Sequence, residues 1–375
     1  MREKVGMASL PLHYGHAPAW LTGRMKKLSK EIMIVMMDEY GPDEILRRLS
    51  DPFWFQSLGC VLGYDWHSSG VTTVVTGILK NVLKPEEHGL AVAGGKGATS
   101  LKTPFEIEQI GRAFSLSEED INRLKYSSRM SAKVDNAAIQ AGYPLYHHAF
   151  FITTEGTWAV VQQGMNVREK TARRYHWLSD RVKSFVKEPH NAIISDRVEQ
   201  TVLNMTSPVS EECQKTSLDL TKDGPRRVKQ DFFSLKRPQN QEVLTKWLQE
   251  KSGVDRRNIK SMFLPEDLNW KALEKVYDFQ PKNYEELLAF RGIGPATVRG
   301  LALISELVYG SEPSWKDPVK FSWAYGGKDG VPFPVDRRSM DESINFLRET
   351  IQSSRLGRTE RSDALVRLKS IVPKT

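Results

Sequence analysis

A short run near residue 292 combines the residue types that bind a phosphate through the backbone. Gly292 and Gly294 flank Ile293, and neither glycine has a Cβ that would block the close approach of a ligand. Pro295 suits the first residue of a helix, where free N–H groups and the positive end of the helix dipole are found. The run therefore predicts a corner between two short helices that binds an anion.

The same run resembles the helix-hairpin-helix motif of DNA-binding proteins. That motif has an apolar residue, any residue, glycine, an apolar residue, glycine, and a small or hydroxyl residue three places on. The matching residues here are Phe290, Arg291, Gly292, Ile293, Gly294 and Thr297. The resemblance implies DNA contact through Gly292 to Thr297, with Arg299 in the next turn. An ordinary corner between two core helices is the alternative.

Downstream, Pro334-Val335-Asp336 is similar to the catalytic segment of helix-hairpin-helix DNA glycosylases. Cleaving an N-glycosidic bond builds positive charge on the sugar, and a nearby carboxylate stabilises that charge and orients the attacking water. The resemblance therefore implies that Asp336 is catalytic. Ala296 stands where bifunctional members carry a Schiff-base lysine, which implies a monofunctional glycosylase without a cofactor. A helix cap or a surface partner of Arg337 is the alternative role for Asp336.

A second set of carboxylates and imidazoles has the residue types of a metal-dependent nuclease. Its members are Asp65, His67, Asp135, His147 and His148. This alternative enzyme would need a divalent metal, which the sequence does not identify. The two histidines are adjacent in an expected strand, so they point to opposite faces and are not expected to share one metal. One of them is a candidate partner of Asp135 or Gln162.

Two other basic groups are candidates for phosphate contact. Arg173 and Arg174 precede the aromatic run 175–177, a combination that suits single-stranded or distorted nucleic acid. A solvated helix face with buried aromatics is the alternative. Lys96 and Lys102 lie in a glycine-rich segment whose residue order differs from that of a P-loop. They are expected to touch the nucleic-acid backbone, and a solvated connector is the alternative.

The elements that position these residues follow from apolar spacing. Helical periodicity covers much of the chain, whereas 143–153 and 156–164 are aromatic and β-branched and predict a β-hairpin. Prolines, Ser/Thr clusters and basic residues predict a boundary within 187–241. The expected fold is mainly α with a β-hairpin or small sheet. We predict an α+β N-terminal domain (1–186), a basic linker region (187–241) and an all-α helix-hairpin-helix domain (242–375).

Composition limits the class of partner and the compartment. Lys and Arg number 54 against 46 Asp and Glu, and the net charge of +8 favours a polyanionic partner. Cys60 and Cys213 are the only cysteines, which excludes a disulfide framework and a cysteine-built zinc or iron–sulfur site and fits a reducing cytoplasm. The apolar run 32–37 is too short to span a bilayer, so no membrane association is expected.

Several segments resemble a largely archaeal family, domain-of-unknown-function family number 763. They are His13-Tyr14-Gly15-His16, Asp65-Trp66-His67-Ser68-Ser69-Gly70, Gly94-Gly95-Lys96-Gly97, Leu145-Tyr146-His147-His148 and Gln162-Gln163-Gly164-Met165-Asn166. The resemblance covers most of the chain and implies no established activity. The phosphate-binding corner and the positive net charge favour a DNA-binding protein, and the resemblance to helix-hairpin-helix DNA glycosylases implies a repair enzyme that acts as a monofunctional glycosylase, a hydrolase, on damaged bases. A metal-dependent nuclease and a non-catalytic nucleic-acid binder are the alternatives.

Overall fold

Helices and one small antiparallel sheet build the molecule, which confirms the predicted α+β class. The computed structural model describes residues 19–64, 69–195, 197–236, 264–319 and 337–371. The helices in the first half are α1 (Ala19–Ser50), α2 (Pro52–Val61), α3 (Gly70–Val82), α4 (Pro85–His88), α5 (Thr103–Ala113) and α6 (Glu118–Lys133). The later helices are α7 (Glu211–Asp223), α8 (Pro225–Leu235), α9 (Trp270–Phe279), α10 (Tyr284–Ala289), α11 (Pro295–Leu307), α12 (Arg337–Ser353) and α13 (Arg358–Ile371).

Five strands form the main sheet in the order β1-β3-β4-β5-β6, and all neighbours are antiparallel. The strands are β1 (Leu90–Lys96), β2 (Ile139–Gln140), β3 (Leu145–Thr153), β4 (Trp158–Asn166), β5 (Thr171–Leu178), β6 (Ala192–Ser195) and β7 (Leu203–Asn204). The short strands β2 and β7 pair separately. Strands β3 and β4 are the predicted hairpin, with Ile152 opposite Trp158 and Gly156 at φ +74° in the turn. The hairpin prediction is therefore confirmed.

Local signals in the sequence explain several helix starts. Ser117 caps α6 by accepting the Asp120 N–H at 3.1 Å, and three acidic residues occupy the first turn of that helix. Asp51 caps α2 by accepting the N–H groups of Phe53 and Trp54, each at 2.8 Å. These caps satisfy amides that a helix start leaves without a carbonyl partner.

Apolar layers cover both faces of the sheet. Side chains alternate along each strand, so Val161 of β4 faces one layer and Val160 faces the other. The first layer contains buried residues of α1, α2, α3, α12 and α13. The second contains buried residues of α5 to α11. The sheet is thus the middle of three layers.

The segment expected to be a linker contains regular elements in its described part. Residues 187–236 include β6, which is the edge strand of the main sheet, and the helices α7 and α8. Helices α9 to α11 join the second layer, whereas α12 and α13 join the first. The predicted division at 186 and 241 stays a prediction. Within the described ranges, no helix combines the length and the apolar character needed to cross a bilayer.

Candidate functional site

The corner between α10 and α11 is shaped by the surroundings of its two glycines. Gly292 has φ +97°, and a Cβ there would lie 2.8 Å from Ala272 Cβ and 3.1 Å from Asn269 Nδ2. A side chain at that position is therefore strained and obstructed. Gly294 has extended backbone angles, and a Cβ there would meet nothing within 4 Å. Gly292 thus serves the fold of the corner, whereas the space in front of Gly294 is open.

Helix α11 begins without a side-chain cap. At the start of α10, by contrast, Asn283 accepts a backbone N–H at 2.9 Å. In α11 the first helical bond runs from Val298 N to Gly294 O at 3.0 Å, and no side chain caps the helix. The amides of Ala296 and Thr297 come before that bond, so helix geometry gives them no carbonyl acceptor within the helix. These amides and the helix dipole favour an anion at this end.

Three side chains expected to contact DNA here point inward instead. Ile293 and Thr297 are each 1% exposed, and the Thr297 hydroxyl accepts the Asn269 N–H at 3.3 Å. The half-buried Arg299 donates from Nε to Gln140 Oε1 at 2.8 Å, which ties α11 to β2. Burial lowers the pKa of Arg299. Ile293 and Thr297 can therefore offer a ligand only their backbone groups, and Arg299 supports the corner. The predicted DNA contact of these residues stays a prediction.

A cavity of about 790 Å³ opens beside the corner. One wall is the run from Arg291 to Pro295, and the other is the face of α6 and the following turn that carries Tyr126, Arg129, Lys133 and Asn136. Three of the lining residues are cationic, namely Arg129, Lys133 and Arg291. The open end of α11 and these cations therefore face the same space, which favours an anionic ligand over a neutral one.

Lys133 joins the two walls of the cavity. Its Nζ donates to Phe290 O at 2.9 Å, the carbonyl that follows the last turn of α10. Burial lowers the pKa of Lys133 to about 8, so the ammonium still predominates at neutral pH. Nearby, Tyr126 donates to Glu285 Oε1 at 2.8 Å, and Glu285 Oε2 accepts the Phe185 N–H at 3.2 Å. Both carboxylate oxygens of Glu285 therefore accept hydrogen bonds, one from α6 and one from the segment that follows β5.

Lys96 and Lys102 are exposed, as a contact with a nucleic-acid backbone requires, but neither lines the cavity beside the corner. They bracket a 3₁₀ turn (Gly97–Lys102) after β1. The base of this turn is fixed because Glu106 Oε2 accepts both the Gly94 N–H and the Lys80 ammonium at 2.6 Å. Their contact with nucleic acid stays a prediction.

Arg173 and Arg174 lie in β5, and both are 0% exposed. Arg173 makes a bidentate pair with Asp317, at 2.9 and 2.7 Å. Arg174 faces the other layer, where it donates to Gln56 Oε1 at 2.9 Å and lies 4.7 Å from the centre of the Phe55 ring. The expected phosphate contact by these two arginines is corrected, because neither guanidinium reaches the surface.

Three residues of the alternative nuclease site are described, and they are divided between the two faces of the sheet, with Asp135 and His148 on one face and His147 on the other. His148 Nδ1 lies 2.7 Å from Gln162 Oε1, and the Gln162 amide donates to Asp135, which also contacts His190. His147 points to the opposite face and contacts Thr76 Oγ1 at 2.9 Å. Burial lowers the pKa of His147 to about 3, so this imidazole is neutral at physiological pH. The predicted separation of the two histidines is confirmed.

The remaining catalytic candidates, Asp65, His67 and Asp336, lie outside the described residues. Among residues 19–64, 69–195, 197–236, 264–319 and 337–371, no three His, Cys, Asp or Glu side chains are grouped as a metal site requires.

Sequence reasoning missed the cations of the cavity. Arg129 and Lys133 are four residues apart, which places them on one face of α6. The sequence shows this spacing, but it does not show that the corner at residues 291–295 lies opposite this face of α6. The same limit applies to His190, whose contact with Asp135 spans 55 positions of the chain.

Fold and site together define a class of protein: an α+β protein in which an uncapped helix start opens onto a cavity with a cationic lining. The chain belongs to the family described as protein of unknown function (DUF763), whose model matches residues 6–335. This confirms the resemblance to that family, which was expected to cover most of the chain. No curated protein and no solved structure matches the chain.

Proposed function

We propose that the protein binds DNA by placing a backbone phosphate against the start of α11. The observation that carries this proposal is the uncapped helix start at Gly294, which shares a cavity with Arg129, Lys133 and Arg291. Free backbone amides hold a phosphate by directed hydrogen bonds, and the cations add attraction that is independent of base sequence. The match of residues 290–297 to the helix-hairpin-helix pattern supports the same proposal.

We further propose that the bound DNA is a repair substrate and that a damaged base is excised. The cavity supports this step, since about 790 Å³ falls within the range of roughly 300–1,000 Å³ that is typical of sites for small ligands. An extruded nucleotide needs such a space next to the phosphate contacts. In this proposal Asp336 supplies the carboxylate that stabilises positive charge on the sugar.

The binding step is tested with substitutions at the corner. Gly294→Leu fills the open space in front of the amides, and Arg291→Ala removes one cation from the cavity. We expect Gly294→Leu to weaken binding to a blunt duplex by about tenfold, the loss expected when about one amide hydrogen bond to a charged group is blocked. Arg291→Ala should reduce the slope of log K against log salt by about one. Fluorescence anisotropy over a salt series measures both effects.

Arg355→Ala is the matched control, because Arg355 is exposed and follows α12 in the other layer. The duplex affinity of Arg355→Ala should be closer to that of the unmodified protein than the affinity of Arg291→Ala is. The thermal midpoint of each variant is measured in parallel, so that lost binding is not confused with lost folding. Full affinity in Gly294→Leu would contradict the proposal.

The excision step is tested separately with duplexes that carry deaminated or oxidised bases. Excision leaves strand breaks that appear only after alkali and persist in EDTA, whereas a metal-dependent nuclease gives breaks that EDTA abolishes. Asp336→Asn should remove the alkali-dependent breaks and leave duplex affinity unchanged. Excision by Asp336→Asn at the unmodified rate rejects the role assigned to this carboxylate.

A further inference from the structure

A pair of stacked aromatic rings lies at the surface of α8 and α9. Phe233 is 44% exposed, and its ring centre is 6.1 Å from that of Trp270, with 23° between the ring planes. The buried Phe232 lies beneath, edge-on to both rings, with centroid distances of 5.6 Å. Because this third ring supports the other two from the core, the exposed Phe233 and the half-buried Trp270 are held in a fixed orientation.

Two cations of α8 lie on the same helix face as the exposed ring of Phe233. Arg226, Lys229 and Phe233 occupy positions i, i+3 and i+7 of α8 and therefore share one face, and all three are exposed. The Lys229 ammonium lies 5.7 Å from the centre of the Trp270 ring. The neighbouring Asp267 accepts the Trp270 indole N–H at 2.6 Å, so that carboxylate is engaged. We call Arg226, Lys229, Phe233 and Trp270 the aromatic surface.

The aromatic surface adjoins the corner that we propose to hold a phosphate. Trp270 follows Asn269, whose Nδ2 donates to Gly292 O at 3.1 Å and whose N–H donates to Thr297 Oγ1 at 3.3 Å. In addition, Leu268 packs against Gly300 of α11 so closely that a Cβ on Gly300 would lie 2.4 Å from Leu268 Cδ2. The start of α9, and with it Trp270, therefore lies next to the corner.

We propose that the aromatic surface stacks with unpaired bases of a single-stranded segment next to the bound duplex. This inference rests on the proposed function and adds a substrate class to it, namely DNA with a junction between paired and unpaired strands. Flat aromatic rings bind the face of any base, and the flanking cations match the phosphates of the same strand. A surface of this composition gives affinity for single strands with little dependence on sequence.

The test compares a blunt duplex with the same duplex carrying an oligothymidine overhang. The unmodified protein should bind the overhang duplex about tenfold more tightly, a gain that corresponds to about one stacked base. Phe233→Ala should remove most of this gain and leave blunt-duplex affinity unchanged, whereas Phe233→Trp should keep it. Trp20→Ala is the control, since Trp20 is 65% exposed on α1, which packs on the other face of the sheet.

The outcomes separate this inference from the proposed function. The inference is overturned if the overhang gives no gain in affinity over the blunt duplex, or if that gain persists in Phe233→Ala. Either result still agrees with the proposed duplex-binding site. Absence of binding to either DNA overturns both. Self-association of the protein that Phe233→Ala abolishes, measured by sedimentation, assigns the surface to a second copy of the chain and overturns the inference.

Discussion

At the scale of single residues, the two glycines of the corner have different tasks. Gly292→Ala places a side chain at φ +97° and against Ala272, so we expect the free energy of unfolding to fall by about 1–3 kcal/mol. Gly294→Ala meets open space and should change it by less than about 0.5 kcal/mol. Urea unfolding of both variants measures the difference. Equal losses would contradict the division of roles.

Glu306 should make stability depend on pH. Burial raises the pKa of Glu306 to about 7. The carboxylate accepts a hydrogen bond from the Trp315 indole, at 3.1 Å to Oε2, which lowers the pKa but does not offset the effect of burial. A raised pKa means that the folded state holds the proton more tightly than the unfolded state. The stabilisation is therefore complete below the unfolded pKa, near 4.5, and is lost as pH rises through 7.

We expect Glu306→Gln to remove this pH dependence and, at pH 8, to be more stable than the unmodified protein by about 3 kcal/mol at most. The measurement is urea unfolding at pH 5, 6, 7 and 8. Glu155→Gln, in the exposed turn of the hairpin, is the control and should keep the unmodified profile. A profile of Glu306→Gln parallel to that of the unmodified protein would show that this carboxylate is not the cause.

At the scale of elements, the pair between Arg173 and Asp317 fixes the segment after α11 to strand β5. Both side chains are fully buried, and Asp317 Oδ2 also accepts the Glu199 N–H at 2.7 Å. Asp317→Asn leaves the guanidinium buried without its counter-charge, so we expect a loss of about 3–5 kcal/mol. The double variant Arg173→Met, Asp317→Leu should lose less than Asp317→Asn alone, because no isolated charge remains.

Denaturant unfolding compares the single and double variants, and crystallography or proteolysis shows whether residues 311–319 keep their place. If the double variant is less stable than Asp317→Asn, the pair between Arg173 and Asp317 itself stabilises the fold. Its role would then go beyond preventing a buried charge without a partner. The position matters for function, since this segment leads to residues 320–336 and thus to Asp336.

Local signals in the sequence were enough for some elements and not for others. The hairpin of β3 and β4 depends on neighbours in the chain, and it was predictable. The burial of Arg173 was not, because its partner Asp317 stands 144 positions away and because β5 is covered on both faces. For the same reason the cationic cavity escaped prediction, since Phe290 contacts Lys133 across 157 positions.

At the scale of the whole molecule, the C-terminal helices depend on the rest of the chain. Tyr126 and Lys133 bond to α10 and its end, while Arg367 of α13 donates to Val61 O of α2 at 2.8 Å. We therefore expect residues 242–375 produced alone to show no cooperative thermal transition by circular dichroism. A sharp transition with native-like helix content would instead support an independent C-terminal domain.

The packing of α12 and α13 against α1 and α2 also sets an order for biosynthesis. Ile344, Leu347 and Leu368 complete the layer that begins with α1, so that layer cannot close until the ribosome has translated residue 368. At about 5–20 residues per second, the nascent helices wait roughly 15–60 s for their last partners. Throughout that interval the hydrophobic side of α1 to α3 stays exposed to solvent, so we expect chaperones to bind the nascent polypeptide.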